Sequence, residues 1–88
     1  MSVKIEIFTS QDCPYCNSAI ELVKSVIEEM GKELRNIAKI EVMDVKKHPS
    51  KALKYGIYAV PSIVINGSVE FVGRPEKESL LNAIKKEL

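Results

Sequence analysis

The chain's two cysteines, Cys13 and Cys16, are separated only by Pro14 and Tyr15. The pair stands where an alternating segment, Val3 to Phe8, hands over to a helical pattern. A sulfur just ahead of a helix faces the unpaired N–H groups of the first turn and the positive end of the helix dipole. Both favour thiolate over thiol. Pro14 suits the first helical position, where a missing N–H costs nothing and the ring's φ is already helical. On this reading Cys13 is exposed near the cap, and Cys16, one turn on, lies against the protein. One thiol attacks and the other resolves, which is the arrangement that thiol–disulfide exchange requires.

Two other uses of a cysteine pair fit less well. Zinc takes four protein ligands, or three with an open position. Beyond the thiols the chain offers His48, in a different segment. A purely structural bridge across so short a loop adds little stability, because loop-closure entropy is small at this length. Tyr15 either shields the sulfurs and contacts substrate or fills space between cap and loop. His48 reads as a solvated residue ahead of Pro49, and Lys46, Lys47, Lys51 and Lys54 read as a solvated basic face. Asp12 runs against the chemistry: a carboxylate beside Cys13 opposes the thiolate and raises its pKa.

These residues need a scaffold, and the sequence outlines one. Val3 to Phe8 alternates and reads as strand one. From Pro14, the apolar positions Cys16, Ala19, Ile20, Val23, Val26, Ile27 and Met30 follow helical spacing, with charges on the other side. Gly31 is a natural stop, although Lys32 to Ile37 can carry the helix on for another turn or so. Lys39 to Val45 is strand two, parallel to strand one across the helical crossover. A short helix begins at Pro49 and stops at Tyr55-Gly56. Ser62 to Ile65 and Val69 to Val72 form a hairpin around Asn66-Gly67. Gly73-Arg74-Pro75 opens a last helix that buries Leu80, Leu81, Ile84 and Leu88. The expected order is β-α-β-α-β-β-α, an α/β fold with a mixed four-stranded sheet.

With 88 residues and 45% hydrophobic content, the expectation is one domain spanning 1–88 with a modest core. Thirteen basic and twelve acidic side chains leave a net charge of +1. That balance gives no electrostatic reason to expect nucleic acid or a membrane surface as partner. The start, Met1-Ser2-Val3-Lys4, carries no signal-peptide pattern, so the cytoplasm is the expected compartment. Thiols there are kept reduced, and a lone pair is more often catalytic or metal-binding than structural. With no unmatched apolar stripe, a monomer is expected.

Three segments in order resemble the thioredoxin superfamily, and within it the small archaeal glutaredoxin-like thioredoxins. They are Cys13-Pro14-Tyr15-Cys16, the active-site tetrapeptide of dithiol glutaredoxins; Tyr55 to Ser62 (Tyr-Gly-Ile-Tyr-Ala-Val-Pro-Ser); and Asn66-Gly67 followed by Phe71-Val72-Gly73. The resemblance implies a thioredoxin fold with Cys13 as nucleophile and Cys16 as resolving thiol. It further implies that Pro61 is cis and faces Cys13, with Pro14 and Tyr15 supporting the site. A cis bond there turns the Val60 backbone outward to pair with an extended substrate; from the residues alone, Pro61 equally reads as a trans proline opening an edge strand.

Within that family the signals diverge. The tetrapeptide points to glutathione as reductant. However, the glutathione clamp of glutaredoxins ends in two glycines and an acid, where this chain has Gly73-Arg74-Pro75-Glu76. Arg74 adds bulk and charge, although it equally suits an exposed cap residue. The lysine that often precedes the glutaredoxin active-site loop is replaced by Ser10-Gln11-Asp12. The buried acid that helps deprotonate the resolving cysteine in typical thioredoxins is replaced by Ile7, with Glu6 pointing the other way. The expected partners are therefore protein disulfides and a thioredoxin-reductase-type donor, with Val60, Gly73 and Arg74 contacting substrate. No cofactor is expected beyond the redox-active disulfide. The alternatives are a glutathione-dependent glutaredoxin, a carrier that ligates an iron–sulfur cluster through Cys13, and a non-catalytic interaction domain.

Overall fold

A computed structural model describes residues 2–88. The elements are β1 (Val3–Thr9), α1 (Cys16–Glu29), α2 (Lys32–Ile37), β2 (Ala38–Asp44), α3 (Pro49–Tyr55), β3 (Ser62–Ile65), β4 (Ser68–Val72) and α4 (Lys77–Lys85). The sheet order is β2-β1-β3-β4. β1 pairs parallel with β2 and antiparallel with β3, and β3 pairs antiparallel with β4.

β1 is central and buried on both faces, so its alternation divides the core in two. Val3, Ile5 and Ile7 face α1 and α4, where they meet Val23, Val26, Ile27, Leu80, Ala83 and Ile84. Phe8 faces the opposite way and packs with Met43, Ala52 and Val64 beneath α3. The edge strands β2 and β4 are more exposed. Asn66 and Gly67 adopt φ of 48° and 84°, the left-handed pair that a two-residue hairpin of this twist requires. Asn66 also exchanges bonds with Lys4, its backbone N–H donating to the Lys4 carbonyl and its Oδ1 accepting from the Lys4 N–H, both at 2.8 Å. The hairpin is thus tied to the start of β1. Opposite Ile63 and Val64 the register slips past Glu70, a bulge in the exposed edge strand.

Several boundaries differ from the sequence reading. α1 starts at Cys16, not Pro14: Tyr15 is its N-cap, and the first intrahelical bond runs from the Ala19 N–H to the Tyr15 carbonyl at 3.0 Å. Lys32–Ile37 is a separate helix, because Gly31 takes φ of 103° and breaks the axis. The order is therefore β-α-α-β-α-β-β-α. β2 begins at Ala38 and ends before Val45, β4 begins at Ser68, and α4 begins at Lys77. α4 ends at Lys85, which leaves Leu88 beyond it and 60% exposed, while Ala83 takes a buried position that the spacing had not marked.

Candidate active site

The cysteine turn and the loop before β3 emerge at the same end of two adjacent central strands. Phe8 pairs with Ser62 in the antiparallel β1–β3 ladder. The residues just beyond them, Thr9 on one strand and Pro61 on the other, must therefore lie side by side. From Thr9 the chain makes a turn closed by the Cys13 N–H on the Ser10 carbonyl at 3.4 Å. Pro14 and Tyr15 follow, and α1 begins.

Cys13 and Cys16 are joined by a disulfide, with Cα atoms 5.5 Å apart, within the ordinary range for such bridges. Their environments differ in the direction the spacing predicts. Cys13 is half-buried at the surface, whereas Cys16 is 4% exposed and lies against the protein. The first turn of α1 has no side-chain cap and no acidic residue. Its N–H groups and positive dipole end are thus uncompensated beside the sulfurs, the setting that stabilises a thiolate. Asp12 is exposed just outside this turn. Tyr15 is 64% exposed and covers no core.

The Val60–Pro61 bond is cis, as the resemblance implies. Two bonds hold the loop. The Ser62 hydroxyl donates to the Ala59 carbonyl at 2.6 Å, and the Gly73 N–H donates to the Pro61 carbonyl at 2.7 Å. Gly73 has φ of 91°, a left-handed conformation that a residue with a Cβ resists. Pro61 itself is buried and Val60 half-buried. A shallow groove of about 220 Å³ runs between the two loops, lined by Ser10, Val45, Ile57, Tyr58, Ala59 and Val60.

Arg74 follows Gly73 and reaches across to α1, where its Nε–H donates to the Ser18 hydroxyl at 2.6 Å. It is not a cap of α4, which begins three residues later and is flanked by Glu76. Side chains on a helix lean towards its N-terminus, so Ser18 lies over the Pro14–Tyr15 turn. Two bonds thus link Pro61 to Gly73 and Arg74 to Ser18 in the first turn of α1.

On the other side of β1, Glu6 points away from Ile7, as strand alternation requires, and is 1% exposed, enclosed beneath α3. Its carboxylate accepts from the Lys51 ammonium at 3.1 Å and from the Tyr55 hydroxyl at 3.0 Å, and Lys4 stands 3.9 Å away. Lys51 is therefore not part of a merely solvated face. The bond to Glu6 raises the pKa of Lys51, and the same carboxylate, aided by burial, raises that of Tyr55. α3 buries only Ala52 of its own residues, so this polar clamp and the edge-on contact of Tyr55 with Phe8 hold much of it in place. Gly56, at φ of 68°, then ends α3 and starts the chain towards Pro61.

Sequence reading missed Ser18, which nothing in the local pattern marks. Tyr58, within the Tyr55 to Ser62 segment, is 85% exposed. Among the described residues, no three His, Cys, Asp or Glu side chains gather as a metal site, and no helix is long and apolar enough to cross a membrane.

Comparison with known proteins agrees with this geometry. A family model described as a thioredoxin domain matches residues 3–85. The thioredoxin of Methanocaldococcus jannaschii is 52% identical over 86 residues, covering 98% of this chain and 96% of that protein. A probable thioredoxin of Methanothermobacter marburgensis is 48% identical over 88 residues, covering 100% of this chain and 99% of the relative. Among solved structures, a protein disulfide oxidoreductase from Aeropyrum pernix superposes with a TM-score of 0.83 at 36% identity. That match takes in 98% of this chain and 37% of the larger protein.

Proposed function

The chain belongs to the thioredoxin family and is a thiol–disulfide oxidoreductase, and we propose that it reduces protein disulfides through Cys13 as nucleophile and Cys16 as resolving thiol. The observation that carries this assignment is the unequal burial of a bonded pair at an uncapped helix start. Cys13 thiolate attacks one sulfur of the substrate disulfide; that S–S bond breaks, a mixed disulfide forms, and the displaced substrate thiolate takes up a proton. Cys16 then loses its proton and attacks the Cys13 sulfur. The mixed disulfide breaks, the second substrate thiol is released, and the Cys13–Cys16 bond is left. Two electrons and two protons have passed to the substrate.

The cis bond at Pro61 and the flanking bonds at Ala59 and Gly73 present the Val60 backbone beside the groove, a suitable edge for an extended substrate segment. Pro14 and Tyr15 shape the turn around the sulfurs. We assign re-reduction to a protein reductase rather than to glutathione. Arg74, held against Ser18, occupies space that a glycine would leave open to the tripeptide. The cytoplasm is the compartment in which this reduction belongs.

The test is a trap. Cys16→Ser accumulates a mixed disulfide with a protein substrate, seen as a mass adduct on Cys13 that dithiothreitol releases. Cys13→Ser forms none and loses exchange. Multi-turnover dithiol activity in Cys13→Ser overturns the assignment.

A further inference from the structure

We propose that Arg74 is a docking point for a carboxylate on the protein substrate, so that the enzyme prefers disulfides with an acidic residue nearby. This rests on the reading of Cys13 as the attacking thiol. The chain has two arginines. Arg35 is paired with Glu28 at 3.3 Å. Arg74 is in none of the ion pairs among the described residues, and neither Glu76, two positions on in the sequence, nor Asp12 is paired with it. Among the described residues its one side-chain bond is the Nε–H to Ser18. A guanidinium has five N–H donors in a planar fork, so four remain for a partner.

The tether makes the fork useful. Arg74 is exposed, and an exposed arginine ordinarily gives up side-chain entropy when it binds. Here the Ser18 hydroxyl holds the plane at 2.6 Å, and the Gly73–Pro61 bond fixes the backbone one residue earlier. The guanidinium is also placed against the first turn of α1, where the dipole disfavours a cation. An incoming carboxylate offsets both positive contributions together. It matches the fork with two parallel bonds, which a lysine cannot offer.

Position follows from the chain path. The Cα atoms of Cys13 and Cys16 are 5.5 Å apart and Ser18 lies two helical residues further on, which puts the fork on the order of 10 Å from the sulfur. An extended segment advances about 3.3 Å per residue. The preferred acid is therefore roughly three residues from the cysteine under attack.

The experiment uses peptides closed by one disulfide, identical except for Glu or Gln three residues from a cysteine. Reduced protein is mixed with each, and the second-order rate of its oxidation is read by quenched alkylation and mass spectrometry. The expected result is a preference of about two- to fivefold for the Glu peptide, shrinking with added salt and lost in Arg74→Gln. Equal rates in the unaltered protein overturn the proposal, as does a preference that survives Arg74→Gln. If neither peptide is reduced, it is the assignment of Cys13 that fails.

Discussion

Glu6→Gln isolates the buried charge of Glu6, which fastens α3 to the sheet. Gln keeps the shape of Glu and can still accept from Lys51 and donate to the Tyr55 hydroxyl, so what it removes is charge assistance in the two bonds at 3.1 and 3.0 Å. Bonds to an ionised group exceed neutral ones by about 1 kcal/mol each. Because the Lys51 and Lys4 side chains are 38% and 42% exposed, solvent takes up part of that difference. The expected loss for removing the carboxylate is about 1–2 kcal/mol, a fall in Tm of roughly 5–15 °C for a domain of this size. Guanidinium unfolding of the oxidised protein measures it, with the m-value unchanged. Tyr55→Phe keeps the ring against Phe8 and removes only the hydroxyl, and its cost should combine non-additively with Glu6→Gln, by about 0.5 kcal/mol or more. Alkaline pH gives an independent check. Lys51 and Tyr55 both have folded pKa values raised above their ordinary values of 10.5 and 10.0. A raised folded pKa contributes stability that is complete below the unfolded value and is lost as pH climbs through the folded one. Stability should therefore fall from about pH 10 upward, and fall less steeply in Glu6→Gln. A variant within about 0.3 kcal/mol of the unaltered protein, with a superimposable alkaline limb, refutes the clamp.

Asp12→Asn removes the carboxylate next to Cys13 while leaving the uncapped helix start intact, so it should lower the Cys13 pKa and speed attack at neutral pH; thiolate absorbance against pH reads it, and an unmoved curve rejects the opposition. Oxidised protein mixed with excess glutathione, quenched with an alkylating agent and weighed over time, should show no glutathione adduct on Cys13 while dithiothreitol reduces it readily. Rapid adduct formation followed by full reduction would mean a working glutaredoxin despite Arg74.

Local rules wrote much of this protein into its residues. The chemistry was legible because Cys13 and Cys16 stand at a strand-to-helix handover, where the helix end acts on whatever precedes it. The hairpin was legible because Asn66-Gly67 tolerates two successive left-handed residues, and α3 because Pro49 and Gly56 carry its start and stop in their own stereochemistry. All three depend on neighbours within a turn. The separate α2 was harder, since Gly31 permits either a cap or a continuation and only its φ of 103° chooses.

What the tertiary structure alone decided joins residues far apart in the chain. Glu6 meets Lys51 and Tyr55, Arg74 meets Ser18 across 56 positions, and Gly73 meets the Pro61 carbonyl. A charged residue on a strand reads as solvent-facing until another element covers that face, and nothing near Glu6 in sequence announces α3. Likewise Arg74 reads as a substrate contact or an exposed cap residue until the hairpin brings it to the first turn of α1. Periodicity reports which face of an element is apolar; it does not report which other element arrives to cover it. The thiols and the candidate substrate contacts were therefore visible in the sequence, while the bonds that hold Arg74 and Gly73 in place had to await the fold.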